Sequence, residues 1–302
     1  MELSTLFELH PGLLALVACL FGMTVGSFLN VVIYRLPIMM ERDWRKQCHD
    51  ILAEGDAPNA REDEKQEPDF NLMTPRSACP QCKAPIAAWH NIPVLSYLLL
   101  RGRCANCKTK ISIRYPLVEL FTGLVSALVA WQFGFTIECL MALGLTWSLI
   151  ALSGIDIDHQ YLPDSITAPL LWVGLIMSLY HGGQAKVLFI SPTDAIVGGA
   201  AGYLSLWSVY QAYRLLTKKE AMGYGDFKLL GALGAWLGWK MLPMIILLSS
   251  MVGAIVGLTM IVFAGRDRQT PIPFGPYLAA AGWIAMLWGN EILAVYYQVS
   301  GL

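Results

Sequence analysis

Met222-Gly-Tyr-Gly-Asp-Phe-Lys228 joins a polar segment to an apolar helix. The apolar run after it is typical of a membrane protein, in which Asp226 would lie at the edge of the bilayer. Carboxylates at that depth are costly, rare and usually functional. A second aspartate, Asp156, ends another apolar segment 70 residues earlier. We therefore interpret Asp156 and Asp226 as a candidate reactive pair; the alternative is that both are solvated helix ends.

The composition places the chain among polytopic membrane proteins. Of its 302 residues, 56% are apolar and only 14% are charged, with a mean hydropathy of +0.52. Soluble domains carry about 25% charged residues. The first apolar run, Leu13–Tyr34, is longer than the apolar core of a secretion signal and is not preceded by Lys or Arg. It is therefore predicted to be a retained span.

Eight apolar segments approach the roughly 20 residues that a helix needs to cross a bilayer. They are Leu13–Tyr34, Tyr115–Gly134, Ile137–Ile155, Ser165–Tyr180, Ala195–Leu216, Phe227–Trp239, Met244–Ala264 and Tyr277–Tyr297. The sixth is only about 20 Å long as a helix, so the alternative is seven crossings with this segment tilted, re-entrant or lining a cavity. The sequence predicts an all-α membrane protein with about eight transmembrane helices.

Basic residues predict the orientation, because cytoplasmic loops of membrane proteins are enriched in Lys and Arg. With the N-terminus outside, 19 of the 21 Lys and Arg residues fall in inner loops, and only Lys186 and Lys240 lie outside. This topology places Asp156 and Asp226 at the cytoplasmic ends of their helices.

Four cysteines in the long inner loop predict a metal site. The pairs Cys79-Pro-Gln-Cys82 and Cys104-Ala-Asn-Cys107 are separated by 21 residues, a spacing typical of four-cysteine zinc sites. Four thiolates complete the tetrahedral shell of zinc and leave no position for water, so the metal would be structural. The alternatives are plain thiols or two disulfides, which a reducing cytosol disfavours.

These patterns predict three regions along the chain. A first transmembrane helix covers residues 1–34, and a cytoplasmic loop covers 35–114, of which 72–113 form the zinc ribbon. Residues 115–302 form the transmembrane core, which contains both aspartates of the candidate pair.

Two carboxylates that share a site can hydrolyse a peptide bond without a metal or a covalent nucleophile. Both cannot ionise easily, so the pair holds one proton and supplies both an acid and a base. Nearby Asp158 would point about 200° away from Asp156 on a continuing helix. Asp164 follows Pro163 and is predicted to cap the next helix.

Other polar and small residues are candidates for supporting roles. Gly223 and Gly225 would let the backbone approach an extended substrate, and Lys228 is placed with them as a substrate-binding or supporting residue. Glu119, inside the second span, could contact substrate, form an ion pair or link helices, and we favour the link.

Two further segments are rich in small residues. Gly198, Gly199 and Gly202 favour close helix packing over a phosphate-binding loop. The segment Pro271-Ile-Pro-Phe-Gly-Pro276 leads into the last span. It could line a cavity or simply begin a helix.

Taken together, the motifs resemble those of the type IV prepilin peptidases, members of the G-x-G-D class of intramembrane aspartyl proteases. The resemblance runs along nearly the whole chain. It rests on Gly26-Ser-Phe-Leu-Asn-Val-Val-Ile-Tyr-Arg-Leu-Pro37, the two C-x-x-C pairs, Arg114-Tyr-Pro-Leu-Val-Glu-Leu120, Ile155-Asp156 with Leu162-Pro-Asp164, Gly223-Tyr-Gly-Asp-Phe-Lys228 and Pro273-Phe-Gly-Pro276.

The resemblance implies a bifunctional enzyme of the bacterial inner membrane. It would cut the leader from type IV prepilins and type II secretion pseudopilins after a glycine, then N-methylate the new N-terminal residue with S-adenosylmethionine. It implies Asp156 and Asp226 as the catalytic pair and the four cysteines as zinc ligands. No nucleotide-binding loop marks a site for S-adenosylmethionine. We expect protein substrates and a lipid bilayer as partners, and no nucleic acid.

Two other classes of function are compatible with buried acids. A transporter or channel could use Asp156, Asp226 and Glu119 as a proton or ion path, and an assembly scaffold would need no chemistry. The edge position of the aspartates and the cytoplasmic cysteine ribbon argue against transport, since transport sites tend to lie near the midplane of the bilayer.

Overall fold

The computed structural model describes residues 3–53, 70–87, 92–180, 190–219, 222–264 and 272–300. Within these ranges the chain is almost entirely helical and forms no β-strand, only two isolated β-bridges. This confirms the predicted all-α class. The α-helices are α1 (Leu3–Leu9), α2 (Pro11–Ala53), α3 (Leu95–Leu99), α4 (Arg114–Phe133), α5 (Ile137–His159), α6 (Asp164–Ser178), α7 (Pro192–Thr217), α8 (Tyr224–Leu237), α9 (Leu242–Ala264) and α10 (Gly275–Ser300).

Each of the eight predicted apolar segments coincides with one of these helices. Among the described residues, five stretches are long and apolar enough to cross a membrane: Pro11–Leu52, Arg114–Phe133, Ile137–His159, Trp239–Phe263 and Gly275–Ser300. Helix α8, with 14 residues, is about 21 Å long. Large apolar side chains cover the outside of the long helices, as on α9, where Leu247 is 72% exposed. Exposed apolar side chains on several helices of spanning length indicate a multi-pass membrane protein.

Helix α2 continues past the predicted first span and ends only at Ala53. Its last turns are charged, and Arg45 forms an ion pair with Glu41 one turn earlier, at 2.6 Å. Hydropathy predicts where a helix leaves the bilayer rather than where its hydrogen bonds end. Residues 35–53 of the predicted loop are therefore helical. Residues 54–69 of the predicted loop lie outside the described residues.

The chain divides into two compact units, and the first is Ala18–Val125. In this unit α2 and α4 pack with their backbones in contact. A Cβ atom on Gly26 would lie 2.8 Å from the Cα of Glu119, and one on Gly123 would lie 2.9 Å from the carbonyl oxygen of Cys19. The segment that contains the four cysteines connects these two helices.

The second unit consists of residues 1–17 and 126–302, and α8 lies at its centre. Helices α6, α7, α9 and α10 all contact α8. From Asp226 to Leu237 every residue of α8 is buried except Lys228. Gly198 of α7 and Gly234 of α8 meet backbone to backbone, because a Cβ on either would overlap the carbonyl of the other. The predicted packing role of the α7 glycines is confirmed.

Candidate active site

Asp156 lies in the last turns of α5, and it is the buried acid of its segment. Its side chain is 5% exposed, whereas Asp158 is exposed. The helix continues through His159, so two residues of helical rotation carry Asp158 to the other side. This confirms the prediction that Asp156 and Asp158 do not face one site together.

The partner of Asp156 comes from the start of α10. The backbone amide of Gly275 donates a hydrogen bond of 2.9 Å to Asp156 Oδ2, in a buried position. Gly275 is the first residue of α10, and the first amides of a helix have no partner within the helix. The Asp156 carboxylate therefore accepts a hydrogen bond from an amide at the start of α10 that has no acceptor within its own helix.

Asp226 lies in the first turn of α8, three residues after the N-cap Gly223, and is 8% exposed. Its carboxylate lies close to the N-cap, because a Cβ on Gly223 would lie 3.9 Å from Asp226 Oδ2. This is the position that the acidic residue of a capping box occupies relative to its N-cap. The G-Y-G-D sequence thus places its aspartate at the start of α8.

The structure brings Asp156 and Asp226 close enough to interact electrostatically. Leu162, on the connection between α5 and α6, lies between the two helix starts. A Cβ on Gly225 would lie 2.7 Å from Leu162 Cβ, and a Cβ on Gly275 would lie 3.1 Å from Leu162 Cδ2. The end of α5, the start of α8 and the start of α10 therefore meet at one buried acidic centre.

Lys228 is held beside this centre by an ion pair. Its Nζ lies 2.6 Å from Oδ1 and 2.7 Å from Oδ2 of Asp164. The prediction that Asp164 caps α6 is wrong, because Pro163 occupies the N-cap position and Asp164 is the first helical residue. The carboxylate is thus available to bind the lysine of the adjacent helix.

An aromatic cluster fixes the start of α8 against α7. The ring centroids of Tyr210 and Tyr224 are 5.5 Å apart, and Phe227 lies 5.5 Å from Tyr210 and 5.7 Å from Tyr224. Phe227 is fully buried, whereas Tyr224 is 51% exposed. The tyrosine between the two motif glycines is therefore held by Tyr210 and Phe227 while half of its surface stays exposed.

The four cysteines of the two C-x-x-C pairs converge on one point in the first unit. Their Sγ atoms all lie within 4.8 Å of one another, and those of Cys79 and Cys107 are 3.7 Å apart. A tetrahedral zinc ion with Zn–S bonds of about 2.3 Å requires sulfur atoms about 3.8 Å apart. The donor set and its spacing fit a four-cysteine zinc site.

The two pairs have the same backbone geometry. Lys83 and Lys108, which follow the second cysteine of each pair, both have left-handed φ values, of 57° and 60°. The amide of each lysine donates to the carbonyl of the first cysteine of its pair, at 2.9 and 3.1 Å. Thr109, through its hydroxyl and its amide, lowers the pKa of the Cys107 thiol to about 6. This favours the thiolate that a metal ion requires.

Glu119 binds the segment between the two cysteine pairs. Its Oε2 accepts a hydrogen bond of 2.8 Å from the amide of Val94, just before α3. Val94 has a φ of 57°, which is unfavourable for a β-branched residue. Glu119 therefore supports a strained turn, and its role as a link between helices stays a prediction.

Comparisons with known proteins agree with this geometry. The model of the bacterial peptidase A24 N-terminal domain matches residues 20–133, and that of the type IV leader peptidase family matches residues 143–258. A protein of Stutzerimonas stutzeri named prepilin leader peptidase/N-methyltransferase is 53% identical over 97% of both chains. The chain belongs to the type IV leader peptidase family. The four cysteines fall in the first matched region, and Asp156 and Asp226 in the second.

Other members of the family with the same name are similarly close. The Pseudomonas aeruginosa protein is 53% identical over 97% of this chain and 96% of its own length. The Neisseria gonorrhoeae protein is 50% identical over 96% of both chains. No solved structure matches the chain.

Gly275 is the residue of the acidic centre that the sequence did not identify. The sequence indicates its segment as a cavity lining or a helix start and as one of the motifs of the family resemblance, without a role for the glycine itself. The sequence feature that could have identified it is a glycine beside Pro276 at the first position of a helix. A side chain at that position normally causes no clash, so a glycine there indicates a lack of space. Pro271, the first residue of that segment, lies outside the described residues.

Proposed function

We propose that the chain is a prepilin leader peptidase and N-methyltransferase in which Asp156 and Asp226 form the catalytic pair. The supporting observation is a buried, interacting pair of aspartates in a member of the type IV leader peptidase family. Relatives that share about half of its sequence over nearly the full length have both activities in their names. These relationships favour the peptidase over the transporter hypothesis.

The two carboxylates hydrolyse the peptide bond by acid–base catalysis. The ionised one takes a proton from a water molecule, whose oxygen attacks the carbonyl carbon of the scissile bond. The protonated one gives its proton to the departing nitrogen as the C–N bond breaks. The pair ends with its single proton on the other carboxylate, and a proton exchange with water restores it.

The location of the pair suits a substrate with a basic leader and an apolar helix. The positive-inside bias holds a basic leader at the cytoplasmic face, and the proposed topology puts both aspartates at that depth. We therefore place the enzyme in the bacterial inner membrane with a periplasmic N-terminus. Type IV prepilins are the expected substrates, and pseudopilins of type II secretion have the same chemistry.

Methyl transfer follows cleavage in this proposal. When bound, S-adenosylmethionine would supply the methyl group for the new N-terminal amine. No residue of this chain is assigned to the methyl donor.

The four cysteines would hold a structural zinc ion. Four sulfur donors complete the coordination of zinc and leave no open position, so zinc would stabilise the segment between α2 and α4 without taking part in cleavage. Glu119 supports this segment through the amide of Val94. Lys228 has its supporting role at the acidic centre instead, through its ion pair with Asp164.

The proposal is tested by replacing each aspartate with asparagine in enzyme reconstituted with a prepilin precursor. Asp156→Asn and Asp226→Asn should each lower the cleavage rate by about 10²–10⁴-fold, the usual contribution of acid–base catalysis. Asp158→Asn is the matched control, because Asp158 lies on the same helix but is exposed. It should cleave at the wild-type rate. Wild-type cleavage by either of the first two variants would refute the catalytic pair.

A further inference from the structure

We propose that Gly275, in the segment Pro273-Phe-Gly-Pro276, is a positioning residue for peptide cleavage. Its amide holds one oxygen of Asp156, and its missing side chain leaves the space that the carboxylate occupies. The inference rests on the proposed function and deepens it, since it gives a role to a segment outside the matched family regions, which end at residue 258.

The hydrogen bond from Gly275 determines which oxygen of Asp156 is held. Oδ2 accepts from the Gly275 amide at 2.9 Å, and both residues are buried. Among the described residues, Oδ1 accepts no hydrogen bond from the protein. Oδ1 is therefore the oxygen that can bind and deprotonate water, while Oδ2 anchors the carboxylate.

The start of α10 is suited to this task. Its first amides lack partners within the helix and carry the positive end of the helix dipole. A negative carboxylate at this end is stabilised where bulk water is excluded. The 26-residue α10 also holds the amide in place, and Trp283 Nε1, two turns along, donates to Thr146 Oγ1 of α5 at 3.1 Å. Two hydrogen bonds thus link α10, which carries the donor, to α5, which carries the carboxylate.

Space explains why the residue is a glycine. A Cβ at position 275 would lie 2.7 Å from Asp156 Oδ2 and 3.2 Å from its Cγ, and 3.1 Å from Leu162 Cδ2. Cβ contacts under 3.0 Å essentially never occur, so the carboxylate would have to move. The Cβ of Leu162 itself packs closely on the start of α8, since a Cβ on Gly225 would lie 2.7 Å from it.

Backbone conformation does not explain the glycine. The glycines with positive φ among the described residues are Gly102, Gly134 and Gly238, and Gly275 is not one of them. A glycine within a helix costs about 1 kcal/mol relative to alanine. A helix start without a positive φ would therefore favour alanine, unless the side chain had no room.

The test compares Gly275→Ala with Gly144→Ala in the reconstituted full-length enzyme. Gly144 lies on α5, the same helix as Asp156, and a Cβ there would meet no atom within 4 Å. Gly275→Ala should lower kcat for cleavage by about 10²-fold, the usual effect of a 1 Å misplacement of a reacting group. KM should stay within about twofold, because the substrate surface is unchanged. Gly144→Ala should match the wild type in both constants.

A second readout separates positioning from general damage. Methylation of a pilin whose leader has already been removed does not need Asp156 under this proposal. Gly275→Ala should therefore methylate pre-cleaved pilin within about twofold of the wild-type rate. Loss of methylation together with cleavage would overturn the positioning role in favour of a purely structural one.

A double variant addresses the case in which Gly275→Ala does not fold. Leu162→Ala removes the Cδ2 contact at 3.1 Å, but leaves the overlap with Asp156 Oδ2. Gly275→Ala with Leu162→Ala should fold and still cleave about 10²-fold more slowly than Leu162→Ala alone. Equal rates for those two enzymes would overturn the inference.

The outcomes distinguish this inference from the proposed function. Wild-type cleavage by Asp156→Asn would overturn the catalytic pair, and the role of Gly275 with it. If Asp156→Asn is inactive while Gly275→Ala cleaves as fast as Gly144→Ala, only the role of Gly275 is wrong.

Discussion

Lys228 and Asp164 connect the two segments that carry the candidate catalytic residues. Lys228 follows Asp226 by two residues on α8, and Asp164 follows Leu162 by two residues at the start of α6. Their side chains are 39% and 63% exposed, so solvent screens the ion pair and its contribution to stability is about 1 kcal/mol or less. An ion pair that adds little stability can still set the orientation of the α8 start.

Removing this ion pair should affect cleavage more than folding. Lys228→Met should slow cleavage by about fivefold. Without the ion pair the start of α8 is less well oriented, and an activation free energy raised by about 1 kcal/mol gives a rate change of that size. The melting temperature should change by only about 2 °C or less. Cleavage assays and thermal unfolding in detergent measure the two effects, with Lys219→Met at the exposed end of α7 as the control.

The reversed pair provides the decisive comparison. Asp164→Lys combined with Lys228→Asp restores the attraction with opposite charges, and should recover at least part of the rate that Lys228→Met loses. A double variant as slow as Asp164→Lys alone would show that the lysine acts by itself, for example on substrate.

At the scale of elements, the cysteine segment is built from two copies of one turn. Each C-x-x-C pair places its thiols on the same side, and a lysine in the left-handed region closes each turn. An isolated β-bridge encloses each turn, from Ala78 to Pro85 and from Arg103 to Lys110. Because the segment consists of turns, two isolated bridges and one five-residue helix among its described residues, a metal ion is expected to supply much of its stability.

Zinc binding should therefore depend on these four cysteines and on no others. Purified protein should contain about one zinc ion per chain, since four thiolates form one closed tetrahedral site. Replacing Cys79, Cys82, Cys104 and Cys107 together by serine should remove it. Elemental analysis of protein purified without metal-affinity resin measures the ratio.

The remaining cysteines provide the control for metal content. Cys19, Cys48 and Cys139 lie outside the cluster, and replacing all three by serine should leave one zinc ion bound. Stoichiometric zinc in the variant that lacks the four cluster cysteines would contradict the site.

The helices, the aspartate pair and the four-cysteine cluster could be predicted because their sequence signals are local. Apolar length predicts helices, and cysteine spacing predicts a metal site. The contacts that position the aspartates have no such signal. The bond from Gly275 to Asp156 spans 119 residues of sequence, and that from Val94 to Glu119 spans 25. A side chain that binds a distant backbone amide leaves no periodic pattern in a single sequence.

At the scale of the whole molecule, the basic loops and the two aspartates are predicted to lie on the same side of the membrane. Placing 19 of the 21 Lys and Arg residues in inner loops predicts an N-terminus outside. Helix α5, with 23 residues, is about 35 Å long, which is long enough for its two ends to reach opposite faces. In the proposed topology residue 134 lies outside and residue 160 inside, four residues beyond Asp156.

Reporter fusions at the two ends of α5 test this arrangement. Alkaline phosphatase folds only after export, so a fusion after Gly134 should be active in cells and a fusion after Gln160 should be inactive. A fusion after Lys219, at the inner end of α7, should also be inactive and controls for expression when it is compared by immunoblot. An active fusion after Gln160 would put Asp156 on the periplasmic side. A basic leader held in the cytoplasm could not reach the aspartates there, so that result would contradict both the topology and the route by which the substrate enters.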